Sequence, residues 1–504
     1  MAQPAPGDLS AAVAYLAETT HHFSDADLGQ PYRWGAHQEG VRFALLGAMH
    51  ALRALAVRLA AERRRLGQPP TRAQHALAQY HAAYHELTAV LLGVTAEEYE
   101  QPPAPGEWPL RNVYGHMVGA ERNFFALVHY GLRRQRDGGE LSATLPEDEA
   151  DRLLGPFAKF GALMDSGDLE AMAAYHAIQH DRALADFAAI SDTEIDGPSI
   201  WWEGEPYPLE YRLHRMEAHL RQHTIQAEKS RDQLARPVTE ARRLLRLVYG
   251  ALAEAEGALI GAPDLAVAER DAAAVSIRQL ADSAVAAVAQ ANALVAAVTG
   301  GDRERVRELL AEEPRLANAI SRDGVPIIRL AAYYGQEVIA GMLGDTEGIE
   351  LEIWDGAALG RVDVVEANHK GWGDVILNEY SRDGYTPLQL ACFFGREEVA
   401  RYLIEKGANV NAVSINAMAV QPLHSAVAGD HTAVVALLLA AGADANAAQQ
   451  DGFRPLHAAA QNGNGEIARL LLAHGGDPAL TDDQGRPPRE LAEEKGAADV
   501  AALL

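Results

Sequence analysis

Histidine is the residue type with the most chemical promise in this chain of 504 residues, which holds 19 of them. Imidazole titrates near neutrality and is a ready ligand for zinc and related ions. Three pairs occur at His-x-x-x-His spacing, His81/His85, His176/His180 and His219/His223, all between residues 71 and 235. At this abundance about 0.7 such pairs would arise by chance, so a single pair decides nothing and their clustering carries the weight. The last pair lies in YRLHRMEAHLRQHTIQAEK, from Tyr211 to Lys229, which lacks Gly and Pro. Its Leu213, Met216, Leu220 and Thr224 recur at helical spacing, so a helix is expected. On it, His219 and His223 stand one turn apart on one side, which suits two ligands of one ion.

A third ligand is sought on another helix. In GEWPLRNVYGHMVGAERNFF, Val113, His116, Met117, Ala120, Phe124 and Leu127 form a stripe at i, i+3, i+4, i+7. That pattern places His116 on the apolar face, where it needs a hydrogen-bond partner or a metal. PGEWPLR, then GHMVGAE, then a late His-x-x-x-His-x-x-Gln resembles the DinB/YfiT-like four-helix bundles, over roughly a third of the chain. The resemblance implies a divalent metal held by one His of the second helix and two of the fourth, here His116, His219 and His223. It also implies a small-molecule chemistry, because relatives include thiol-dependent transferases and isomerases, alongside many of no known activity.

A neutral three-imidazole site with an open fourth position suits Zn²⁺, and its donors also satisfy Ni²⁺, Fe²⁺ or Mn²⁺. Such an ion lowers the pKa of a bound water or takes a low-molecular-weight thiol as thiolate. Leu220, Arg221 and Gln222 separate the two histidines, so the Glu that serves as general base in His-Glu-x-x-His proteases is missing. Gln226, on the face of His219 and His223, and Glu121, five residues after His116, are candidates to orient the imidazoles from behind. The other two pairs, His81/His85 and His176/His180, are expected to be core or rim histidines.

The elements that must hold these residues read as helices almost throughout. Hydrophobic residues make up 48%, much of it Ala, and β-branched runs are few, so an all-α chain is expected. The net charge is −26, and acidic residues outnumber basic ones on both sides of residue 290, which argues against a nucleic-acid binder. The one cysteine, Cys392, excludes an internal disulfide and suits a reducing, cytoplasmic setting. The first residues lack the basic and apolar regions of a signal peptide, and no run of about 18 uninterrupted apolar residues occurs, so no membrane partner is expected.

Four segments are expected. Residues 1–70 should form helices, and VRFALLGAMHALR resembles the 209–229 helix in pattern, with Met49 and Arg53 where His219 and His223 would fall. Residues 71–236 should form the metal-binding bundle, with a long polar loop RDGGELSATLPEDEAD between its second and third helices. Residues 237–290 read as a helical connector, in which SIRQLADS parallels PLRNVYGH with Ser283 at the His116 position. The first and third of these segments then read as two halves of a degenerate, metal-free bundle. From 291 to 504, prolines at 387, 422, 455 and 488 are spaced by 35, 33 and 33 residues, and YTPLQLACFFG, QPLHSAVAG and RPLHAAAQN resemble ankyrin repeats, six or seven in all. Thr386 keeps the helix-capping residue before Pro, whereas Gln421, Arg454 and Pro487 replace it and should weaken those turns.

In the repeats, His424 and His457 are expected to hydrogen-bond backbone, and Cys392 to fill the core. Tyr333, Tyr334, Phe393 and Phe394 fall where ankyrin repeats present side chains on the concave face. They are the candidate surface for a protein partner or for the helical domain itself; the competing expectation packs them beneath Trp354 and Trp372. Two functions follow: a metal-dependent transferase or hydrolase tethered to an interaction array, or a non-catalytic scaffold with a structural or vestigial metal site.

Overall fold

The computed structural model describes residues 8–34, 37–202, 205–236 and 238–504. They divide into two compact units, residues 1–288 and 289–504.

The first unit begins with α1 (Leu9–Thr20), whose first turn is capped by the Asp8 carboxylate accepting from the Ala11 N–H. After α2 (Asp25–Leu28), β1 (Pro31–Trp34) and β2 (His37–Gly40) pair antiparallel and lead into α3 (Arg42–Arg65). Next comes α4 (Arg72–Leu91), started by a reciprocal cap between Thr71 and Gln74. Then follow α5 (Ala96–Glu100) and α6 (Leu110–Asp137), which starts directly after Pro109 and stops at Gly138 in the left-handed region, φ 64°. α7 (Glu147–Leu154), α8 (Phe157–Ser166) and α9 (Leu169–Phe187) come next. A second hairpin, β3 (Pro198–Trp202) with β4 (Glu205–Pro208), opens into α10 (Leu209–Gln233). α11 (Glu240–Gly257) and α12 (Val267–Gly300) complete the helical part.

Two apolar cores are built from these helices. α4, α6, α9 and α10 enclose Leu77, Leu87, Val113, Met117, Phe125, Phe187, Leu213, Met216 and Leu220. The other core joins the two ends of the unit: Val13 and Leu16 of α1 and Leu45 and Leu52 of α3 pack with Leu245 and Leu252 of α11 and Ile277 and Ala281 of α12. α3 and α10, the two helices alike in sequence pattern, thus each follow a two-stranded hairpin and each line one core. α3 and α12 are long and apolar enough by composition to cross a bilayer.

The fold is all-α, the strands being confined among the described residues to these two hairpins. Two details differ from expectation. Pro31–Trp34 pairs with His37–Gly40 and Pro198–Trp202 with Glu205–Pro208, which the sequence pattern did not show because runs of four or five residues are too short to carry a period. The polar loop after the second bundle helix is shorter than anticipated, since α7 already starts at Glu147 and α8 follows. The segments on either side of residues 71–236 share one core.

The second unit is a stack of helix pairs. The end of α12 packs with α13 (Arg303–Glu312). Pairs then follow as α14 (Ile327–Tyr333) with α15 (Glu337–Gly344), α16 (Ile353–Leu359) with α17 (Val362–Trp372), and α18 (Pro387–Phe393) with α19 (Glu397–Glu405). α20 (Pro422–Ala428) with α21 (Thr432–Ala440), α22 (Pro455–Asn462) with α23 (Gly465–Ala473), and α24 (Pro488–Lys495) with α25 (Ala498–Ala501) close the series. A pair cannot bury its apolar face alone, so cohesion comes from stacking. The irregular HKGWGDVILNEY stretch is the end of α17 followed by a short 3₁₀ turn, Asp374–Asn378.

Two of the cap replacements are compensated. The Gln421 N–H donates to His424 Nδ1 at 3.1 Å, and the Arg454 N–H to His457 Nδ1 at 3.2 Å. Each ring donates Nε2–H to a later carbonyl, His424 to Ala447 and His457 to Arg486. Both nitrogens are therefore used by backbone, in a single neutral tautomer.

Candidate metal centre

α6 and α10 pack side by side in the four-helix core and bring His116, His219 and His223 together. The ring centroids are 5.2 Å apart for His116–His219, 4.7 Å for His116–His223 and 4.5 Å for His219–His223. Each residue offers one nitrogen, and the three nitrogens lie within 4.8 Å of one another. His219 and His223 are buried, whereas His116 is exposed. The apolar stripe had placed His116 on the buried face; it stands instead at the edge of that face, because the core is filled by Val113 and Met117 beside it. Trp108, itself about half exposed, lies 5.7 Å from the His116 ring.

The local chemistry favours neutral, ligand-competent rings. Burial, reinforced by the neighbouring His223 and His116, pushes His219 down to about 4, and burial with His223 lowers His116. His223 Nδ1 donates to Gln226 Oε1 at 2.8 Å, which leaves the Nε2 lone pair free for an ion. Among the described residues the buried His219 Nδ1 has no hydrogen-bond partner, a cost that an ion on this ring nitrogen would relieve. The residues present thus fit a divalent ion.

Glu121 does not reach this trio. It turns into the bundle and pairs with His176, Nε2 to Oε2 2.6 Å, and Tyr114 Oη lies 3.1 Å from His176 Nδ1. A displacement of five residues along α6 carries it about 140° around the helix from His116, onto another face.

The remaining histidine pairs are buried. His81 Nδ1 lies 2.9 Å from His180 Nε2, and Tyr84 stacks on His180 with centroids 3.9 Å apart. His81 Nε2 and His85 Nε2 each stand 2.9 Å from Glu256 Oε2. Burial opposes ionisation of Glu256, yet the two imidazole hydrogen bonds hold it far below the usual carboxylate range. Glu256 escaped the sequence analysis because it sits 175 residues from His81, on a helix that read as a connector.

In the repeats, Tyr334 and Phe393 are exposed, while Tyr333 and Phe394 are half-buried against the core. Tyr333 donates to Asp383 at 2.8 Å and packs its ring 5.3 Å from Phe394. Trp372 is exposed, and Trp354 donates to the Glu379 carbonyl. Tyr333 and Phe393 also line a cavity of about 270 Å³ with Tyr385, Leu390, Met418 and His424. Cys392 is fully buried.

Comparison with known proteins agrees with this architecture. Residues 79–227 match the DinB superfamily model, residues 383–415 an ankyrin repeat, and residues 423–504 a set of three ankyrin repeats. The chain therefore joins a DinB superfamily domain to ankyrin repeats. A segment of 61 residues is 43% identical to Rabankyrin-5 of Mus musculus and of Homo sapiens, 12% of this chain and 5% of each of those proteins. The chain thus spans a small part of the length of these curated relatives.

Proposed function

We propose that the helical domain binds a divalent metal ion through His116, His219 and His223 and acts as a thiol-dependent transferase or hydrolase on a small molecule. In this reading the ankyrin array supplies a protein partner through Tyr333, Tyr334, Phe393 and Phe394, in a cytoplasmic setting. The observation that carries the proposal is the convergence of three imidazoles from two helices, one of them with an orphaned buried nitrogen. Zn²⁺ suits such a neutral nitrogen set best, and Ni²⁺, Fe²⁺ or Mn²⁺ also satisfy it. When bound, the ion supplies Lewis acidity and makes thiolate or hydroxide available near neutral pH. His223 is oriented by Gln226, while the exposed edge at His116 leaves a path for a small molecule.

One observation favours a second reading, a non-catalytic scaffold with a structural or vestigial metal. Among the described residues no carboxylate hydrogen-bonds with the three imidazoles, so none raises the basicity of these ligands from behind. Metal analysis of purified protein, with His116→Ala and His223→Ala alongside, tests the site. Loss of one bound equivalent in both variants is expected, and unchanged content overturns it. Turnover of an electrophile with a low-molecular-weight thiol then separates the catalytic reading from the scaffold.

A further inference from the structure

Two helices from different cores meet where α4 packs on α11. Gly257 makes the approach close: a Cβ there would come 3.1 Å from the Ala78 Cβ, so a larger residue would push the helices apart. One residue earlier, Glu256 faces His81 and His85, which stand one turn apart on α4. The distances among the three donor atoms are 2.9 Å, 2.9 Å and 3.2 Å. Two ligand atoms on one zinc ion at 2.0–2.1 Å in tetrahedral geometry stand about 3.3 Å apart. The triangle is therefore already near the size a single cation requires.

We infer that His81, His85 and Glu256 form a second divalent-metal site, separate from the His116 trio, in which a zinc-like transition ion clasps the DinB-like bundle to the bundle formed by the ends of the unit. Two imidazoles and one carboxylate are a common donor set for Zn²⁺ and other first-row dications. Two of the three donors are held from behind: Ser10 of α1 donates to Glu256 Oε1 at 2.6 Å, and His180 of α9 sits 2.9 Å from His81 Nδ1. No Lys or Arg among the described residues pairs with Glu256, so its carboxyl group meets the two imidazoles and the Ser10 hydroxyl. His81 and His85 are almost fully buried while Glu256 keeps about a fifth of its side chain exposed, so an ion has a way in. His180 Nε2 is engaged with His81, which leaves the fourth position to water.

The test is Zn²⁺ stoichiometry on full-length, chelator-stripped protein, followed by mass spectrometry and by cobalt absorbance in the same samples. The wild type should hold two equivalents. The double variant His116→Ala/His223→Ala should keep one, with the visible bands of tetrahedral Co²⁺, and its thermal midpoint should rise when Zn²⁺ is added. Glu256→Gln, near-isosteric with the native residue, should also keep one, held by the other site; His85→Gln serves if circular dichroism shows Glu256→Gln misfolded. An equivalent retained in Glu256→Gln but absent from His116→Ala/His223→Ala overturns the clasp and spares the trio. An equivalent lost in Glu256→Gln alone overturns the trio and supports the clasp. Equal content in wild type and both seam variants overturns the clasp outright.

Discussion

His176 Nε2 meets Glu121 Oε2 at 2.6 Å where neither side chain is exposed to solvent. A polar pair at that depth is stabilising only while both members are present, because a lone partner has no water to turn to. Glu121→Ala should therefore lower stability by about 1–3 kcal/mol, measured by chemical denaturation. The metal content assigned to His116, His219 and His223 should not change. If that content falls while the fold survives, Glu121 acts on the trio after all.

Gln226 presents the opposite case. It hydrogen-bonds His223 and is itself half-buried. Gln226→Ala should leave the fold intact and weaken metal affinity by about 10–100-fold, read by competition with a chromophoric chelator. An affinity equal to wild type would mean that the amide does not orient the ring.

Much of this arrangement was legible before any coordinates. α10 and the repeats announced themselves because long segments with a fixed period need only one face buried, and because Pro recurs at the first turn of the last four repeats. Period put His219 and His223 on one helix face, and the resemblance to DinB-like bundles added His116 from a neighbouring helix. The hairpins stayed hidden, being too short for any period. The exposure of His116 was hidden too, since a stripe on a helix fixes its centre better than its edge. Contacts such as Glu121–His176 and Glu256–His81 are choices among residues 55 and 175 positions apart, and pattern along a chain carries no information about them.

The repeats should respond to acid through His424. Burial pushes its pKa down to about 4, against about 6.5 when unfolded. Between those values the unfolded chain binds more protons, so its stabilising share is complete above pH 6.5 and drains as pH falls toward 4. The slope should reach about 1.4 kcal/mol per pH unit. In denaturant titrations His424→Asn should start less stable at pH 7.5 and show a shallower decline between pH 6.5 and 4.5. Parallel curves would rule out this residue as the source.

Buried amides in the array set a further expectation. Gln389 accepts the Thr386 N–H at 2.7 Å and donates to the Ala412 and Val420 carbonyls at 3.0 and 2.7 Å. Gln389→Ala strands several of these groups and should cost about 2–4 kcal/mol, seen as a drop in denaturation midpoint. A loss under about 0.5 kcal/mol would show that water or a shifted loop takes over these bonds.

Tyr334 and Tyr333 should separate surface from framework. Exposed Tyr334→Ala should stay within about 0.5 kcal/mol of wild type, whereas Tyr333→Ala, which loses its Asp383 bond and its packing on Phe394, should cost about 1–3 kcal/mol. Thermal melts decide it, and equal effects would contradict the burial described.

The indole of Trp108, half in solvent and 5.7 Å from the His116 ring, has a practical bearing. It makes a built-in lamp beside the trio, so arrival of a paramagnetic ion such as Co²⁺ or Ni²⁺ there should dim its emission while Zn²⁺ leaves it bright. Filling of that pocket could then be followed by light alone, without any label.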